Sequence, residues 1–334
     1  MYDVITIGTA TRDVFVSGES FKVLKDPAHL KKIGFKTGEA ECFALGSKIE
    51  VSKPVITLGG GAANTAVTFA RQGFRTAALV KVGDDELGEG VIKTLKSEKV
   101  NPIAMIDKKT GTAYSTILVA PTGERTVLVY RGASSNFQKK DVPMRKLRAK
   151  WAYISPGTIS IPLMEIIVAR LKKNGVKVAM NPSKHYLEAG PNRLKTILRS
   201  LDVVLVNREE ASYLTGIEYG KEKRIFTKFD ELVPGVAVMT DGKKGASVSD
   251  GKYIYRAGIF AERELLDRTG AGDAFGSGFV AGLIRKNDIC FALRLAAANS
   301  TSVVERIGAE AGIIGKTEFK KKRWQYLDLD IEPL

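Results

Sequence analysis

The chain has 334 residues, 44% hydrophobic and 27% charged, which is enough apolar content to bury a large core and too much for a disordered segment. Lys and Arg outnumber Asp and Glu by 52 to 37, a formal charge of +15 that favours anionic partners. No apolar run reaches the ~18 residues of a membrane span, and Cys42 and Cys290 stand apart with no metal-ligand spacing or disulfide framework around them.

The basic residues are scattered, without the aromatic-interleaved stripe of a nucleic-acid reader, and the densest run, Lys320 to Arg323, reads as a solvated tail. A phosphorylated small molecule is therefore the expected anionic partner rather than nucleic acid. A strand beginning at the second residue leaves no room for a signal peptide, so a reducing cytoplasm is the expected location.

In chain order, "YDVITIG" reads as a buried strand and "RDVFVSG" as an alternating one. Residues 20–46 are polar and glycine-bearing, with little periodicity. "KIEVSKPVITL" is extended, with Pro54 arguing for an edge or a bulge. A helix follows "GGGAAN" and stops at Gly73. "TAALVKVG" is a continuous buried strand, and "DELGEGVIKTLKSEK" is the helix after it. "TAYSTILVA" and "ERTVLVYR" make a hairpin turned by "PTG".

From Trp151 the rhythm becomes strand–helix alternation. "WAYISP", "VKVAMNPS", "DVVLVN" and "GVAVMTDG" are its short strands. One helix carries Ile161, Met164, Val168 and Leu171 on a single face, and a later one carries Ile289, Leu293, Ala296 and Val303. This pattern predicts a mostly parallel sheet covered on both faces. The early alternating strands fit a small second layer with one wetted face.

Two glycine-led segments could carry chemistry. In "DRTGAGDAFGSG", Gly270, Ala271 and Gly272 let the backbone turn tightly and expose N–H groups at the start of a helix, an arrangement that welcomes an anion. Asp273 lies in the first turn of that helix, where it could take a proton from an attacking hydroxyl. An acidic residue at an ordinary helix start is the alternative. In "GGGAANTAVTF", Gly59, Gly60 and Gly61 allow a ligand close to the main chain, and Asn64 can both donate and accept. No Gly-Lys-Ser/Thr follows and G-x-G-x-x-G spacing is absent, so this is neither a P-loop nor a dinucleotide fingerprint.

Together these segments resemble the two signatures of the ribokinase (PfkB) family of carbohydrate and nucleoside kinases. Gly59, Gly60, Asn64, Ala66, Gly73 and Gly83 match the first. Asp267, Thr269 to Asp273, Ser277 and Gly278 match the second, while Arg268 departs from it. The resemblance implies a ribokinase-like three-layer α/β/α domain over residues 1–334. Its small β-sheet lid would be drawn from about 11–57 and 112–132. Residues 20–46 would enlarge the lid and shape the pocket or a dimer contact.

The resemblance also implies an ATP-dependent kinase acting on a hydroxyl of a small sugar or sugar acid. Asp273 would be the base, and Gly270, Ala271 and Gly272 the anion hole. Asp13, Gly60, Gly61, Asn64 and Arg131 would meet the substrate. Asn207, Thr240, Gly242, Gly245 and Asn299 would meet the nucleotide. Glu210 would reach Mg²⁺ through water. Backbone groups near Asp267, Thr269 and Gly308 resemble the monovalent-cation site of several members, which adds K⁺ as a candidate. A nucleoside kinase, or a non-catalytic ligand- or nucleic-acid-binding protein on the same fold, are the alternatives. A homodimer through the lid is the expected assembly.

Overall fold

A computed structural model describes residues 1–35, 38–122 and 124–334. β1 (Tyr2–Gly8) opens the central sheet, and β2 (Thr11–Ser17) leaves it for a smaller one. β3 (Lys22–Lys25), the short helix α1 (Pro27–Lys32) and β4 (Glu39–Cys42) then form a hairpin of their own, where the sequence showed no periodicity. β5 (Val55–Gly59) starts directly after Pro54 and lies at a sheet edge, where a missing N–H does not break a ladder. It runs into α2 (Gly61–Arg71), and β6 (Thr76–Gly83), α3 (Glu86–Ser97) and β7 (Val100–Asp107) follow.

β8 (Tyr114–Val119) and β9 (Arg125–Tyr130) are the expected antiparallel hairpin, although its turn glycine, Gly123, lies outside the described residues. The alternating half contains β10 (Ala149–Ser155), α4 (Ile161–Lys173), β11 (Lys177–Met180) and α5 (Lys184–Leu198). It continues through β12 (Val203–Asn207), α6 (Arg208–Thr215), α7 (Glu222–Leu232) and β13 (Val236–Thr240). β14 (Ala246–Ser249), β15 (Tyr253–Ala257), α8 (Ala271–Lys286), α9 (Ile289–Val304) and β16 (Leu329–Pro333) complete the chain.

Among the described residues the central sheet runs β16-β15-β14-β13-β12-β11-β10-β1-β6-β7. From β13 to β7 every pairing is parallel, whereas β14, β15 and β16 extend the sheet as an antiparallel meander. The pleat sorts side chains by face. Ile5 and Ile7 enter the core beneath α4 to α7, while Val4 points to the core built on α8 and α9. α2 and α3 cover the same side as α8, through Ala63, Val67, Val91 and Leu95. The result is the expected three-layer arrangement beside a small sheet of order β5-β2-β8-β9.

A buried ionic network ties the small sheet's return to the central one. Lys81, on β6 and only 4% exposed, pairs with Asp141 at 2.7 Å and Asp107 at 3.2 Å, and donates to the Asn136 carbonyl. Its own carbonyl accepts from Ser134 Oγ, which also reaches the Ala10 carbonyl beside β2. Lys81→Met would leave two carboxylates without their shared cation. Such a loss costs about 3 kcal/mol of unfolding free energy, read as a lower urea midpoint with an unchanged slope. A midpoint within error of wild type would show that the network does not hold this corner.

Candidate active site

Two glycine-led helix starts converge at the C-terminal edge of the parallel strands, the usual ligand side of such a sheet. α8 begins after Gly270, whose φ of 77° is left-handed and whose absent Cβ would lie 2.3 Å from that of Ala309. α2 begins at Gly61. A Cβ there would fall 2.6 Å from the Ser155 Cβ and 3.3 Å from Asp273 Oδ1, so a bare backbone is needed for the two helices to meet.

At that meeting point Asn64 Nδ2 donates to Asp273 Oδ2 at 2.9 Å, joining residues 209 positions apart. Burial raises the proton affinity of Asp273. The Asn64 bond works against that rise, and the charge of Asp13 adds to it. Asp13, on β2, is buried and accepts from Thr11 Oγ1 at 2.9 Å. Its proton affinity is also raised, chiefly by burial, with hydrogen bonds from Thr11 and Ser115 opposing and the charge of Asp267 contributing.

The backbone donors differ in one respect from the expected set. Ala271 N–H is taken by the Arg268 carbonyl at 3.3 Å, because the left-handed Gly270 curls the chain into a tight turn. Among the described residues the N–H groups of Gly270, Gly272 and Asp273 have no partner, and helical bonding resumes at Ala274. Of the three N–H groups expected to be open, Gly270 and Gly272 are and Ala271 is not, and Asp273 adds another.

Two further polar atoms are buried without partners, Asn64 Oδ1 and Ser155 Oγ. Burying such atoms unpaired costs free energy unless a ligand satisfies them. Ser155 was not singled out from the sequence, yet its signal was present: a polar residue at the C-terminal end of the strand "WAYISP". Gly60 stands at the α2 N-cap with φ 90°. Arg131 is exposed, precedes a short 3-10 turn and makes no side-chain hydrogen bond or ion pair among the described residues, so it is not drawn into this cluster.

A cavity opens on the other side of the α8 start. Thr240, Gly242, Gly245, Phe275 and Thr301 line it, together with Arg268, the residue that departs from the family pattern. An adjoining cavity shares Thr240, Gly272 and Phe275 and reaches Asn207 and Glu210. Asn299 does not face either one. It is fully buried, donating to the Ala274 carbonyl and Thr68 Oγ1 and accepting from Ile314 N–H, while its neighbours Ser300 and Thr301 line the space. Its amide fastens α9 to α8.

Asn207 and Glu210 form a reciprocal capping box at the start of α6, with Glu210 Oε2 accepting from Asn207 N–H at 2.9 Å. Burial raises the proton affinity of Glu210, and its Oε1 has no hydrogen-bond partner among the described residues. No cluster of three or more His, Cys, Asp or Glu that could hold a metal exists among those residues. A single open carboxylate oxygen fits Mg²⁺, which keeps much of its water and takes its other ligands from phosphates.

Asp267, Thr269 and Gly308 do come together. Thr269 N–H and Oγ1 donate to Asp267 Oδ1 at 2.9 and 2.7 Å, and Gly308 N–H donates to Oδ2 at 3.0 Å. A fourth donor reaches the same carboxylate from the small sheet, Arg125 Nη1 at 2.6 Å.

Because Asp273 holds its proton more tightly in the fold than in the unfolded chain, its favourable contribution to stability is present in acid. That contribution is lost as the pH rises through the folded value, so at neutral pH its charge is a net cost. Asp273→Asn retains an acceptor for Asn64 and removes the charge. The variant should melt higher than wild type at about pH 8, and the advantage should vanish near about pH 3. An Asp273→Asn protein less stable than wild type at neutral pH would contradict the burial argument.

The chain matches the sequence model of the pfkB family carbohydrate kinases over residues 28–314. It is 28% identical to the ribokinase of Haemophilus influenzae, across 79% of this chain and 86% of that enzyme. With the nucleoside kinase of Methanothermobacter thermautotrophicus it shares 26% identity, across 80% and 86% of the two chains. Among solved structures, Arabidopsis thaliana ribokinase complexed with ribose and ATP superposes with a TM-score of 0.78 at 19% identity, covering 97% of this chain and 99% of that one. The Methanocaldococcus jannaschii nucleoside kinase gives 0.75 at 20% identity, covering 97% and 98%. The family match spans both glycine-led helix starts and the carboxylate between them, and the chain therefore belongs to the pfkB family of carbohydrate kinases, phosphotransferases with an alcohol group as acceptor.

Proposed function

We propose that the protein transfers the γ-phosphoryl group of ATP to a hydroxyl of a small sugar or sugar acid, with Asp273 as the general base. The observation that carries this reading is the Asn64–Asp273 contact beneath the bare backbone of Gly61, beside two buried acceptors that lack partners. An acceptor molecule over Gly60 and Gly61 would satisfy Asn64 Oδ1 and Ser155 Oγ, and Asp13 would bind its remaining hydroxyls. Asp273 would receive the proton of the attacking oxygen. Its raised proton affinity makes it a stronger base than a solvated carboxylate.

The open N–H groups of Gly272 and Asp273, with the positive end of α8 behind them, would stabilise the charge that builds on the transferring group. ATP would lie in the cavity bounded by Thr240, Gly242 and Gly245. Mg²⁺, bound to its phosphates, would neutralise their charge, with Glu210 orienting its water and Asn207 holding Glu210 in place. The small sheet would act as the lid that excludes water from the acceptor. Its edge strand β9 exposes Val127, Leu128, Val129 and Tyr130, an apolar edge that supports pairing of two copies through the lid.

A nucleoside acceptor is the second reading, favoured by the similarity to a named nucleoside kinase. Both readings use the same base and donors. No helix among the described residues is long and apolar enough to cross a membrane.

A coupled ADP-release screen over sugars, sugar acids, sugar phosphates and nucleosides should identify the acceptor. On it, Asp273→Ala should lower kcat by on the order of a hundredfold or more, with a much smaller change in nucleotide affinity. Near-normal turnover by Asp273→Ala would sink the assignment, and a nucleoside as the best acceptor would favour the second reading.

A further inference from the structure

We propose that Arg125 is a built-in cation. Its guanidinium fills the place at Asp267 that a monovalent ion would take, so the lid itself, rather than K⁺, completes the loop leading into the anion-binding helix start. The inference rests on the kinase reading for its catalytic consequence, while its structural content stands on the ion pair alone.

Capacity is the first argument. A carboxylate offers about four lone-pair positions, and four donors converge on Asp267: Thr269 N–H, Thr269 Oγ1, Gly308 N–H and Arg125 Nη1. Three of them, Thr269 N–H, Thr269 Oγ1 and Arg125 Nη1, crowd Oδ1, while Oδ2 accepts from Gly308 N–H. Three of the four donors are neutral groups of the loops around Asp267 itself, so a cation bound at Oδ1 would have to displace Arg125. Arg125 is the one donor of the set that supplies positive charge.

Electrostatics is the second. The Asp267 side chain is only 5% exposed, and a buried, uncompensated carboxylate is costly. Its field already raises the proton affinity of Asp13, which in turn raises that of Asp273. A positive charge 2.6 Å from Asp267 limits that accumulation at its source. Lys53 also lines the cleft between the small sheet and this loop but forms no ion pair among the described residues, so the compensation falls to Arg125.

Placement is the third. Arg125 is the first residue of β9, in the lid, and its partner lies 142 positions away, three residues before Gly270. Asp267 is clamped to the following turn through Thr269 and to the loop at Gly308, whose absent Cβ would meet the Thr57 Cγ2 of lid strand β5 at 2.7 Å. One ion pair therefore joins the lid to the turn that opens the donors of Gly272 and Asp273. Arg125 is a positioning residue: it touches neither acceptor nor phosphate.

The test compares KCl with tetramethylammonium chloride at matched ionic strength, in the presence of ADP, reading the melting temperature and the ADP dissociation constant. Wild type should give the same values in both salts. Arg125→Ala should melt lower in tetramethylammonium and recover saturably with K⁺. With an acceptor from the screen, it should lose about tenfold in kcat without K⁺ and regain most of it with K⁺, because a displaced helix start misaligns the reacting groups. Arg125→Lys, which keeps a charge, should fold and remain indifferent to K⁺.

A saturable K⁺ response in wild type would overturn the proposal, as would an Arg125→Ala protein that ignores K⁺ in both readouts. If Arg125→Ala does not fold, the wild-type titration and Arg125→Lys still decide the matter. If no acceptor is ever phosphorylated, the kinase reading fails, whereas melting and ADP binding continue to judge the role of Arg125.

Discussion

Three carboxylates, Asp13, Asp267 and Asp273, lie near enough to one another that the charge of Asp267 raises the proton affinity of Asp13, and the charge of Asp13 raises that of Asp273. The rest of the site is arranged around that crowding. Asn64 donates to Asp273, Thr11 and Ser115 donate to Asp13, and Arg125 with three neutral donors satisfies Asp267. The start of α8 adds N–H groups with no partner among the described residues. Each device lowers the cost of holding negative charge in a partly dry place. A carboxylate kept there at some expense in stability is what a proton acceptor requires.

The fold supplies the rigidity that this arrangement needs. Parallel strands deliver Gly8, Ser155, Asn207 and Thr240 to one edge, and the helix starts sit over that edge. α8 is fixed by the amide of Asn299, which bonds to the Ala274 carbonyl and Thr68 Oγ1 and so ties α8, α9 and α2 together. The small sheet reaches the same point from above. β5 leads directly into the glycines before α2, and β9 brings Arg125 to Asp267. The small sheet is thus joined to the turn before α8 by charge as well as by chain.

How far the sequence foretold this follows from the range of each interaction. Glycine-led helix starts are local events, so Gly59 to Asn64 and Gly270 to Asp273 could be read directly, as could the edge position implied by Pro54. The β8–β9 hairpin and the continuous apolar run of β6 also carried through to the structure. Long-range contacts could not be read. Nothing in "ERTVLVYR" says that its first arginine meets an aspartate 142 positions later. The family resemblance put Asn299 beside the nucleotide, and a position on a helix does not show which way its amide faces. In the structure its amide turns inward to pair with buried carbonyl and hydroxyl groups. Ala271 was expected to offer an open N–H, but its bond to the Arg268 carbonyl depends on the φ of Gly270, which a sequence does not display. β7 and the β14–β16 meander were not anticipated, and β3, α1 and β4 came from a stretch without periodicity.

A crystal structure with ADP, Mg²⁺, aluminium fluoride and the acceptor found by screening would test the central claim most directly. The account predicts a planar fluoride group facing the N–H groups of Gly272 and Asp273, with the acceptor oxygen in line and within about 3 Å of an Asp273 carboxylate oxygen. An acceptor oxygen held by some other residue, with Asp273 turned back toward Asn64 alone, would contradict it.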